Sequence, residues 1–517
     1  MVTKGPCFLA VDFGTESVRG ALFDTVGTLI HSEAVEYPTY FPSPGWAEQK
    51  PSEWWDAFVR MIRELLAKSG VEPTLIPSMT VDTTSCSVLA LDQHFTPLRN
   101  ALIWMDVRSF RQANRIAASG ANALKYNGFG SVSAEWMPCK ALWIKEEEPE
   151  LYRKSRHLCE FQDWINHRLT GEFVGSINNV TARWYYDSWS GGWPTAFYEA
   201  IGLGDALDKF PGRILKLGEP VGTILPEVAA QTGLSTDTLV VQGGADAYIG
   251  IIGLGAVRAG RLAFITGSSH LLLGHSEKEF HKKGIFGAFP DCVMPGLWVV
   301  EGAQISSGSV LKWFKDNFIS AEHLQEAKRK GVPLYDYLNG LAAEVKIGSE
   351  GLIVLNYWQG NRNPLTDSQA RGVIWGLSLK HTTAHLYRAI MEAVSYGTEH
   401  IMRFFKDAGF VPRELYACGG ATKSRLWMQM QCDVLGLPIY LTREPNAPLL
   451  GDAILASYGA GVYESIEAAA DSMVKIKEKI EPDLENTEQY RYFVDRYIDT
   501  YPPLKELMHD MLEHESG

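Results

Sequence analysis

The sequence predicts an α/β protein built from two domains of the same topology. At 517 residues the chain exceeds the usual size of one domain. A strand-turn-strand pattern around Asp12 to Arg19 returns around Thr266 to Ser269, about half the chain further on, which indicates a repeated unit. The opening order strand-strand-strand-helix-strand predicts a mixed sheet, because a Rossmann unit begins strand-helix-strand. We therefore expect a first domain over residues 1–256 and a second over 257–517.

The first domain is predicted to open with an antiparallel meander. Three apolar stretches, separated by turns of small and polar residues, predict strands over Cys7 to Asp12, Val18 to Phe23 and Thr28 to Val35. A helix is predicted over Pro51 to Ser69 with Ser52 as its N-cap, because the apolar residues that follow recur at helical spacing.

The rest of the first domain is predicted to hold two more strands around a helical insertion. A buried strand is expected over Ser78 to Ser87. Residues 108–215 are rich in tryptophan and tyrosine and are predicted to be a mostly helical insertion. A second strand over Thr238 to Gln242 leads through two glycines into a helix over Ala247 to Leu254.

The second domain is predicted to repeat this order. Two strands are expected over Leu262 to Ile265 and His270 to Leu273, with a turn between them. A long helix over Ala384 to Ala408, a strand over Leu415 to Cys418 and a helix over Arg425 to Leu435 are expected to follow. From Glu488 onward, aromatic and apolar residues recur at helical spacing, which predicts a C-terminal helical tail that packs back onto the domain.

Composition excludes several classes of function. The net charge of −13 has the wrong sign for a protein that binds nucleic acid or anionic lipid, and no apolar run is long enough to cross a membrane. The 7 cysteines are scattered and form no Cys-x-x-Cys pair, so neither a disulfide framework nor a thiolate metal site is predicted. One lysine, Lys4, and a short apolar stretch precede Asp12, which is too little for a secretory signal. We expect a cytoplasmic protein.

The turn between the first two predicted strands has the residues of a phosphate site. Glycine at position 14 allows close approach of a ligand to the backbone, Thr15 and Ser17 carry hydroxyl groups, and Arg19 adds positive charge. Asp12 ends the first strand, where one carboxylate can hold a hydrated Mg²⁺ ion. By itself such a turn is also compatible with an ordinary hairpin whose hydroxyls bond to its own backbone.

Two further turns have similar chemistry. Thr266, Gly267 and Ser268 form the matching turn of the second predicted domain, and two equivalent turns suit a nucleotide held in a cleft between domains. Gly419 to Ala421 stand where a strand passes directly into a helix, whose N-terminus favours an anion.

Asp246 follows Gly243, Gly244 and Ala245 and precedes a helix. One interpretation is a helix N-cap, a common role for aspartate worth about 1 kcal/mol. The other is a general base for a hydroxyl nucleophile, kept ionised by an ordinary pKa of about 3.9. The two roles are compatible.

The ordered set of these motifs resembles the FGGY family of carbohydrate kinases over nearly the whole chain. The resemblance rests on Asp12 to Arg19, Gly243 to Asp246, Thr266 to Ser269, Glu301 to Trp313 and Gly419 to Ser424. It implies two actin-like, ribonuclease-H-like ATPase domains with a central cleft, sugar bound on the first and nucleotide on the second. It also implies ATP and Mg²⁺ as cofactors and the phosphorylation of a sugar or polyol hydroxyl.

The resemblance assigns roles to individual residues. Asp246 matches the catalytic base and, with Asp12, the magnesium side of the site. Thr15, Ser17 and Arg19 match phosphate ligands of the first domain, and Thr266, Gly267 and Ser268 those of the second. The remaining positions that match nucleotide contacts are Gly308, Lys312, Gly420 and Ser424.

The substrate is predicted from departures within the family. Glycerol kinases have an Arg-Glu pair where this chain has Ser85 and Cys86, which disfavours glycerol, and glutamine commonly follows the catalytic aspartate where this chain has Ala247. The segment around Lys140 matches the family signature only loosely. The segments around Arg183 and Gln304 are similar to ribulokinases, and Trp104, Asp106 and Arg108 are candidates for hydroxyl binding or for organising the cleft.

These observations predict an ATP-dependent kinase of a small ketose or polyol, with a pentulose such as ribulose as the first choice. Erythritol, ribitol and xylulose are alternative substrates. A homodimer is one possible oligomeric state. The rival class is an actin-like ATPase switch or filament, or a sugar sensor without turnover. Sugar dependence of ADP release separates these classes.

Overall fold

The structure, a computed structural model, describes residues 5–130 and 132–516. Lys4, from the predicted N-terminal stretch, lies outside the described residues. Over the described residues the strands of the first half are β1 (Cys7–Phe13), β2 (Ser17–Asp24), β3 (Leu29–Glu36), β4 (Glu48–Gln49), β5 (Ser78–Thr83), β6 (Val88–Leu91), β7 (Ala101–Leu102), β8 (His157–Glu160), β9 (Gly175–Ser176), β10 (Ile214–Leu215), β11 (Pro220–Thr223) and β12 (Leu239–Val241). Those of the second half are β13 (Arg261–Thr266), β14 (His270–Ser276), β15 (Phe286–Pro290), β16 (Trp298–Gln304), β17 (Ile353–Leu355), β18 (Val373–Trp375), β19 (Glu414–Gly419), β20 (Ile439–Thr442) and β21 (Ile476–Ile480).

The helices lie between and after these strands. In the first half they are α1 (Pro51–Ser69), α2 (Phe110–Ala118), α3 (Met137–Glu147), α4 (Pro149–Lys154), α5 (Phe161–Thr170), α6 (Ile177–Arg183), α7 (Thr195–Ala200), α8 (Pro226–Thr232) and α9 (Asp246–Gly253). In the second half they are α10 (Gly308–Phe318), α11 (Ala321–Lys330), α12 (Leu334–Ala343), α13 (Thr383–Asp407), α14 (Arg425–Leu435), α15 (Ala447–Gly459), α16 (Ile466–Met473) and α17 (Leu484–Ser516).

Two large mixed sheets share one topology. The first has the order β11-β12-β5-β1-β2-β3, and the second has the order β15-β16-β14-β13-β19-β20-β21. In each, an antiparallel meander (β1-β2-β3 or β13-β14-β16) is followed by two strands parallel to its first strand (β5 and β12, or β19 and β20). The predicted α/β fold of two actin-like domains is confirmed.

Helices from the two halves meet at a close crossing. The backbone of α9 at Gly253 lies so near α15 that a Cβ atom there would stand 1.8 Å from the carbonyl oxygen of Ala447. A Cβ atom on Gly451 of α15 would likewise stand 2.3 Å from the carbonyl oxygen of Ile249. Since α15 also contacts β1 and β5, this second-half helix packs directly beneath the first sheet.

Three local predictions are wrong. Lys50, not Ser52, is the N-cap of α1, because Pro51 already occupies the first helical position, where its missing N–H costs nothing. The strand that begins at Ser78 ends at Thr83, and the chain turns before β6. Residues 108–215 are not purely helical, since β8 pairs with β6 and β9 pairs with β10.

The C-terminal helix α17 packs on α13, α14 and β17. Tyr490, Tyr497 and Tyr501 are buried against these elements. The Tyr497 hydroxyl donates to Asn356 Oδ1 at 2.8 Å. Among the described residues, no helix combines the length and the apolar character that crossing a membrane requires.

Candidate active site

The turn between β1 and β2 carries a pairing of opposite charges. Asp12 and Arg19 are directly opposite in the antiparallel register, and the Arg19 guanidinium donates to the Asp12 carboxylate. The backbone N–H of Gly14 donates to Ser17 O at 3.0 Å, which closes the turn. Arg19 is partly exposed while Asp12 is buried, so the guanidinium lies between the carboxylate and solvent.

Two aromatic side chains hold this turn. Trp104 donates its indole N–H to the hydroxyl of Thr15 at 2.9 Å, although the two residues are far apart in sequence. The Tyr37 hydroxyl donates to Gly14 O. The structure thus brings together Thr15, a predicted phosphate ligand, and Trp104, a candidate for hydroxyl binding or for organising the cleft. It adds Tyr37, which carried no sequence motif.

Buried carboxylates gather beneath the turn. Asp82 lies beside Asp12 on the parallel neighbour β5, and Asp452 reaches the same place from α15. Burial and the neighbouring carboxylates raise the pKa of Asp82 well above its ordinary value. Asp12 Oδ1 and both oxygens of Asp82 are buried without a hydrogen-bond partner. This concentration of unpartnered oxygen and negative charge suits a cation with a shell of water, since Mg²⁺ takes few protein ligands.

Asp246 is the first residue of α9, and its carboxylate accepts from the backbone N–H of Ala247 at 2.6 Å. The predicted N-cap role is wrong by one residue, because Ala245 is the N-cap. The expectation of an ordinary pKa is also wrong. Burial and the charge of Asp12 raise the pKa of Asp246 to about 7, even though a helix N-terminus favours the anion.

The two glycines before Asp246 are required by close packing. A Cβ atom on Gly243 would stand 2.0 Å from Val81 O, and one on Gly244 would stand 2.7 Å from Asn178 Oδ1. The N–H of Thr83 donates to Gly244 O at 3.0 Å, so the loop that carries Asp246 is fixed to the end of β5. Asp246 is therefore held near Asp12 and Asp82 by the backbone.

The second predicted phosphate turn joins two other elements of its domain. Ser268 O accepts from the N–H of Ser307 and Ser309, each at 3.1 Å, and Gly267 O accepts from the N–H of Gly308 at 3.2 Å. A Cβ atom on Gly308 would stand 2.3 Å from Gly267 O, so only glycine allows this approach. The predicted residues Gly267, Ser268 and Gly308 are thus in direct contact.

Thr266 connects this turn to the third one. Its hydroxyl donates to Cys418 O at 2.7 Å and accepts from the N–H of Ala421 at 3.1 Å. The Thr266 hydroxyl has no free hydrogen to donate to a phosphate, because its hydrogen is bonded to Cys418 O. This geometry does not support its predicted role as a phosphate ligand. Gly267, Ser268 and Gly420 are exposed.

The remaining predicted nucleotide residues lie on nearby helices. Ser424 is the N-cap of α14 and accepts from the N–H of Trp427 at 3.2 Å. Lys312 lies one turn into α10, exposed, in an ion pair with Asp316.

Arg183 belongs to a buried ionic cluster between the two halves. Its guanidinium donates to Glu301 of β16 at 2.8 Å, and the Tyr248 hydroxyl donates to the same oxygen at 2.8 Å. Arg362 donates to the other oxygen at 3.0 Å. Burial opposes ionisation of Glu301, but Arg183 and Arg362 outweigh it and lower its pKa to about 2. Because Tyr248 lies two residues after Asp246, this cluster adjoins the Asp246 loop.

Asp106 and Arg108 bind each other. Arg108 Nε lies 2.9 Å from both oxygens of Asp106, and Asp106 Oδ2 also accepts from the N–H of Ala47 at 2.6 Å. Arg108 further donates to Glu48 at 2.8 Å and its guanidinium carbon lies 3.7 Å from the Trp46 ring centre. Of the two predicted roles, the geometry favours organising the loop that carries Trp104 over binding a sugar hydroxyl.

Gln304 turns away from the site. Its amide donates to Val394 O at 3.0 Å and Thr398 Oγ1 at 2.8 Å, and its oxygen accepts from Asn356 at 3.0 Å. Both amide hydrogens are thus used within the second domain. We assign Gln304 to the packing of α13, which corrects its prediction as a sugar ligand.

Ser85 and Cys86 form the turn after β5. Cys86 is buried and has a left-handed backbone with φ of 60°. Its N–H donates to Glu160 Oε2 at 2.9 Å and its carbonyl accepts from Lys140 Nζ at 2.7 Å. The roles of Glu160 and Lys140 were not predicted from the sequence, because their contacts with Cys86 join positions far apart in the chain.

Two family models match the chain, one in each half. The model of the FGGY family of carbohydrate kinases, N-terminal domain, matches residues 7–253, and that of the C-terminal domain matches residues 262–460. The chain is 32% identical to an FGGY carbohydrate kinase domain-containing protein of Xenopus laevis, over 95% of this chain and 94% of the relative. It is 32% identical to a ribulokinase of Geobacillus thermodenitrificans, over 95% and 93%. The crystal structure of xylulose kinase from Rhodospirillum rubrum superposes with a TM-score of 0.86 at 28% identity, over 97% of this chain and 99% of that chain.

Proposed function

The chain belongs to the FGGY family of carbohydrate kinases and is a sugar kinase, and from this premise we propose that it transfers the γ-phosphoryl group of ATP to a terminal hydroxyl of a pentulose such as ribulose. Xylulose, ribitol and erythritol are the alternative substrates. The relatives named ribulokinase and the fold shared with a xylulose kinase support the pentulose class. Family membership favours a kinase over a filament, a switch or a sugar sensor.

One observation carries the proposal: Asp246 lies within electrostatic reach of Asp12 and Arg19, at the end of the strands that carry the first phosphate turn. A carboxylate whose pKa is raised to about 7 is basic enough to accept a proton well and still ionises near neutral pH. A sugar hydroxyl beside Asp246 would therefore lose its proton as its oxygen attacks the phosphoryl group in line.

The charged and hydroxyl-bearing turns supply the rest of the chemistry. In this proposal Arg19 exchanges part of its contact with Asp12 for a phosphate oxygen, and Ser17, Gly267 and Ser268 donate to the phosphates from opposite sides. Such preorganised donors stabilise the charge that spreads over the phosphoryl group in the transition state. Gly308, Gly420, Ser424 and Lys312 would border the rest of the nucleotide.

Magnesium fits the carboxylates under the turn. Asp12, through its unpartnered oxygen, and Asp246 are the residues that would hold a hydrated ion. When bound, the ion would neutralise charge on the phosphates of ATP.

The sugar would occupy the first domain, which we place over residues 1–256, with the nucleotide on residues 257–517. Ser85, Cys86, Trp104 and the Arg183–Glu301 pair would form its walls. Ser85 and Cys86 are small and uncharged where glycerol kinases have an Arg-Glu pair, so a sugar longer than glycerol is accommodated.

A panel of sugars tests the substrate assignment. We expect kcat/KM for the best five-carbon ketose or polyol to exceed that for glycerol by about 10³ or more, because a site built to bond each hydroxyl leaves buried groups unpaired with a shorter substrate. A panel won by glycerol or a hexose would overturn the pentulose assignment and leave the kinase assignment intact. A four-carbon winner would show a shorter pocket.

A further inference from the structure

A buried ammonium group joins the two loops that carry the predicted sugar-binding residues. Lys140 of α3 is fully buried, and its Nζ donates to three backbone carbonyls. One is Cys86 O at 2.7 Å, and the other two are Leu102 O at 3.3 Å and Ile103 O at 2.7 Å. Ile103 immediately precedes Trp104, so one side chain fixes the turn of Ser85 and the turn of Trp104 relative to each other.

A buried carboxylate binds the other backbone group of Cys86, its N–H. Glu160 accepts from the N–H of Cys86 at 2.9 Å and from Asn179 Nδ2 at 2.7 Å, both on Oε2. Its Oε1 accepts from Trp184 Nε1 at 2.6 Å. Asn179 lies on α6 and Trp184 directly follows Arg183, so Glu160 ties the Cys86 turn to the segment that carries Arg183.

These contacts hold a backbone that would otherwise relax. Cys86 has φ of 60°, a left-handed conformation that a residue with a Cβ atom rarely adopts and that persists only where its surroundings impose it. Its N–H is held by a carboxylate and its C=O by an ammonium group, and hydrogen bonds to charged groups are the strong ones. Glu160 itself is fixed, since its N–H donates to the Asp163 carboxylate at 3.0 Å in a capping box of α5.

We propose that Lys140 and Glu160 are positioning residues that set the sugar specificity of the kinase, by fixing the Cys86 turn against the Trp104 loop and α6. The inference rests on the proposed function, because it takes these three segments as the walls of the sugar site. Neither side chain needs to touch the sugar. Each acts through the backbone of Cys86 and through its other partner segment.

The kinetic test removes one group at a time. In Lys140→Met the KM for the preferred sugar should rise by about 10-fold or more, and the kcat/KM advantage of that sugar over glycerol should shrink by a similar factor. The KM for ATP should stay within about 2-fold of the wild-type value, because a misplaced wall of the sugar site affects sugar binding alone. Lys140→Arg keeps a buried cation with donors and should recover most of the discrimination. Glu160→Gln keeps an oxygen for the Cys86 N–H and should lie between wild type and Lys140→Met.

Matched controls separate positioning from loss of stability. Lys145→Met removes a lysine from the same helix whose ion pair with Asp205 is at the surface, and it should leave all three constants unchanged. Leu142→Ala removes buried apolar volume from the same helix and should lower the melting temperature without changing the ratio of sugar preferences. A folded Lys140→Met with wild-type sugar KM, or one whose ATP and sugar constants change in the same proportion as in Leu142→Ala, would overturn the proposal.

A second measurement does not depend on activity. Burial and the Glu160 charge raise the pKa of Cys86 to about 12, so its thiol should react slowly while the turn is held. Alkylation of Cys86 by iodoacetamide, followed by mass spectrometry of its peptide, should be about 10-fold faster in Lys140→Met than in Lys145→Met, since the turn opens more often. It should be at least as fast in Glu160→Gln, which opens the turn and also removes a charge that raises the pKa of the thiol. Equal rates in all variants would contradict the proposal. If Lys140→Met fails to fold, the same two measurements on Lys140→Arg and Glu160→Gln test the positioning role. A wild-type protein with no sugar-dependent turnover would refute the proposed function, while the alkylation rates would still test the positioning role.

Discussion

At the scale of single residues, the proposed phosphoryl transfer depends on the protonation of Asp246. Replacing it with asparagine removes the proton acceptor and keeps the size of the side chain, and the amide oxygen can still accept from the Ala247 N–H. We expect kcat to fall by about 10² or more, because a general base contributes about that factor. Steady-state kinetics with saturating ATP and sugar checks this. A variant with near-normal kcat would remove Asp246 from the role of general base.

The same substitution should change stability in a pH-dependent way. The folded state raises the pKa of Asp246 from 3.8 to about 7, so the wild-type protein loses stability as the pH rises through this window and the carboxyl group must ionise where it is buried. Asparagine never ionises. The melting temperature of Asp246→Asn relative to wild type should therefore be higher at pH 8 than at pH 5, and a constant difference across this range would show that Asp246 ionises as easily in the fold as in the unfolded chain.

The raised pKa also predicts the pH profile of catalysis. Because only the ionised form of Asp246 can accept a proton, kcat/KM should fall below a pH of about 7, by about tenfold per pH unit on the acid side. Initial rates at subsaturating sugar between pH 5 and 9 measure this limb. An acid limb centred near the ordinary aspartate pKa would mean that the free enzyme holds Asp246 ionised.

At the scale of elements, the second phosphate turn depends on contact between two backbones. Gly308→Ala would place a Cβ atom 2.3 Å from Gly267 O and should push the turn away from α10. We expect the KM for ATP to rise by about 10-fold or more with the sugar affinity unchanged. Gly340→Ala in α12 is the matched control, since a Cβ atom there meets nothing within 4 Å and alanine favours a helix. An unchanged KM for ATP in Gly308→Ala would separate this turn from the nucleotide.

The turns and the loop before α9 could be predicted from the sequence, whereas two helix boundaries could not. The turns at Asp12 and Thr266 and the glycines before Asp246 were found because a turn between strands, or between a strand and a helix, leaves a local pattern of small and polar residues. Ser52 and Asp246 were each misplaced as N-caps by local preference alone, since Pro51 and the backbone geometry at Ala245 decide where those helices begin. The N-caps lie one or two residues before the predicted ones, but the predicted helices are present.

Contacts between distant segments left no such pattern. Glu160 and Lys140 look like ordinary charged residues of helical segments, and their partner Cys86 lies 74 and 54 residues away. Gln304 matched a relative's sequence yet points into α13. These roles follow only from tertiary packing, which periodicity and motif spacing do not encode.

At the scale of the whole molecule, the two repeated sheets place matched turns on two domains joined at the crossing of α9 and α15. Asp246 begins α9 itself, and Asp452 on α15 lies under Asp12 and Asp82. The crossing that joins the domains therefore also positions Asp246 and the buried carboxylates. A molecule built in this way should react only when both ligands occupy the cleft.

The rate of ADP release from ATP and Mg²⁺, measured with and without a pentulose, tests whether the protein transfers phosphate to a sugar. We predict that saturating ribulose or xylulose raises this rate by about 10² or more, and that ADP and sugar phosphate appear in equal amounts, because the sugar hydroxyl is the nucleophile that Asp246 activates. Release of ADP at the same rate with and without any sugar or polyol would contradict the account.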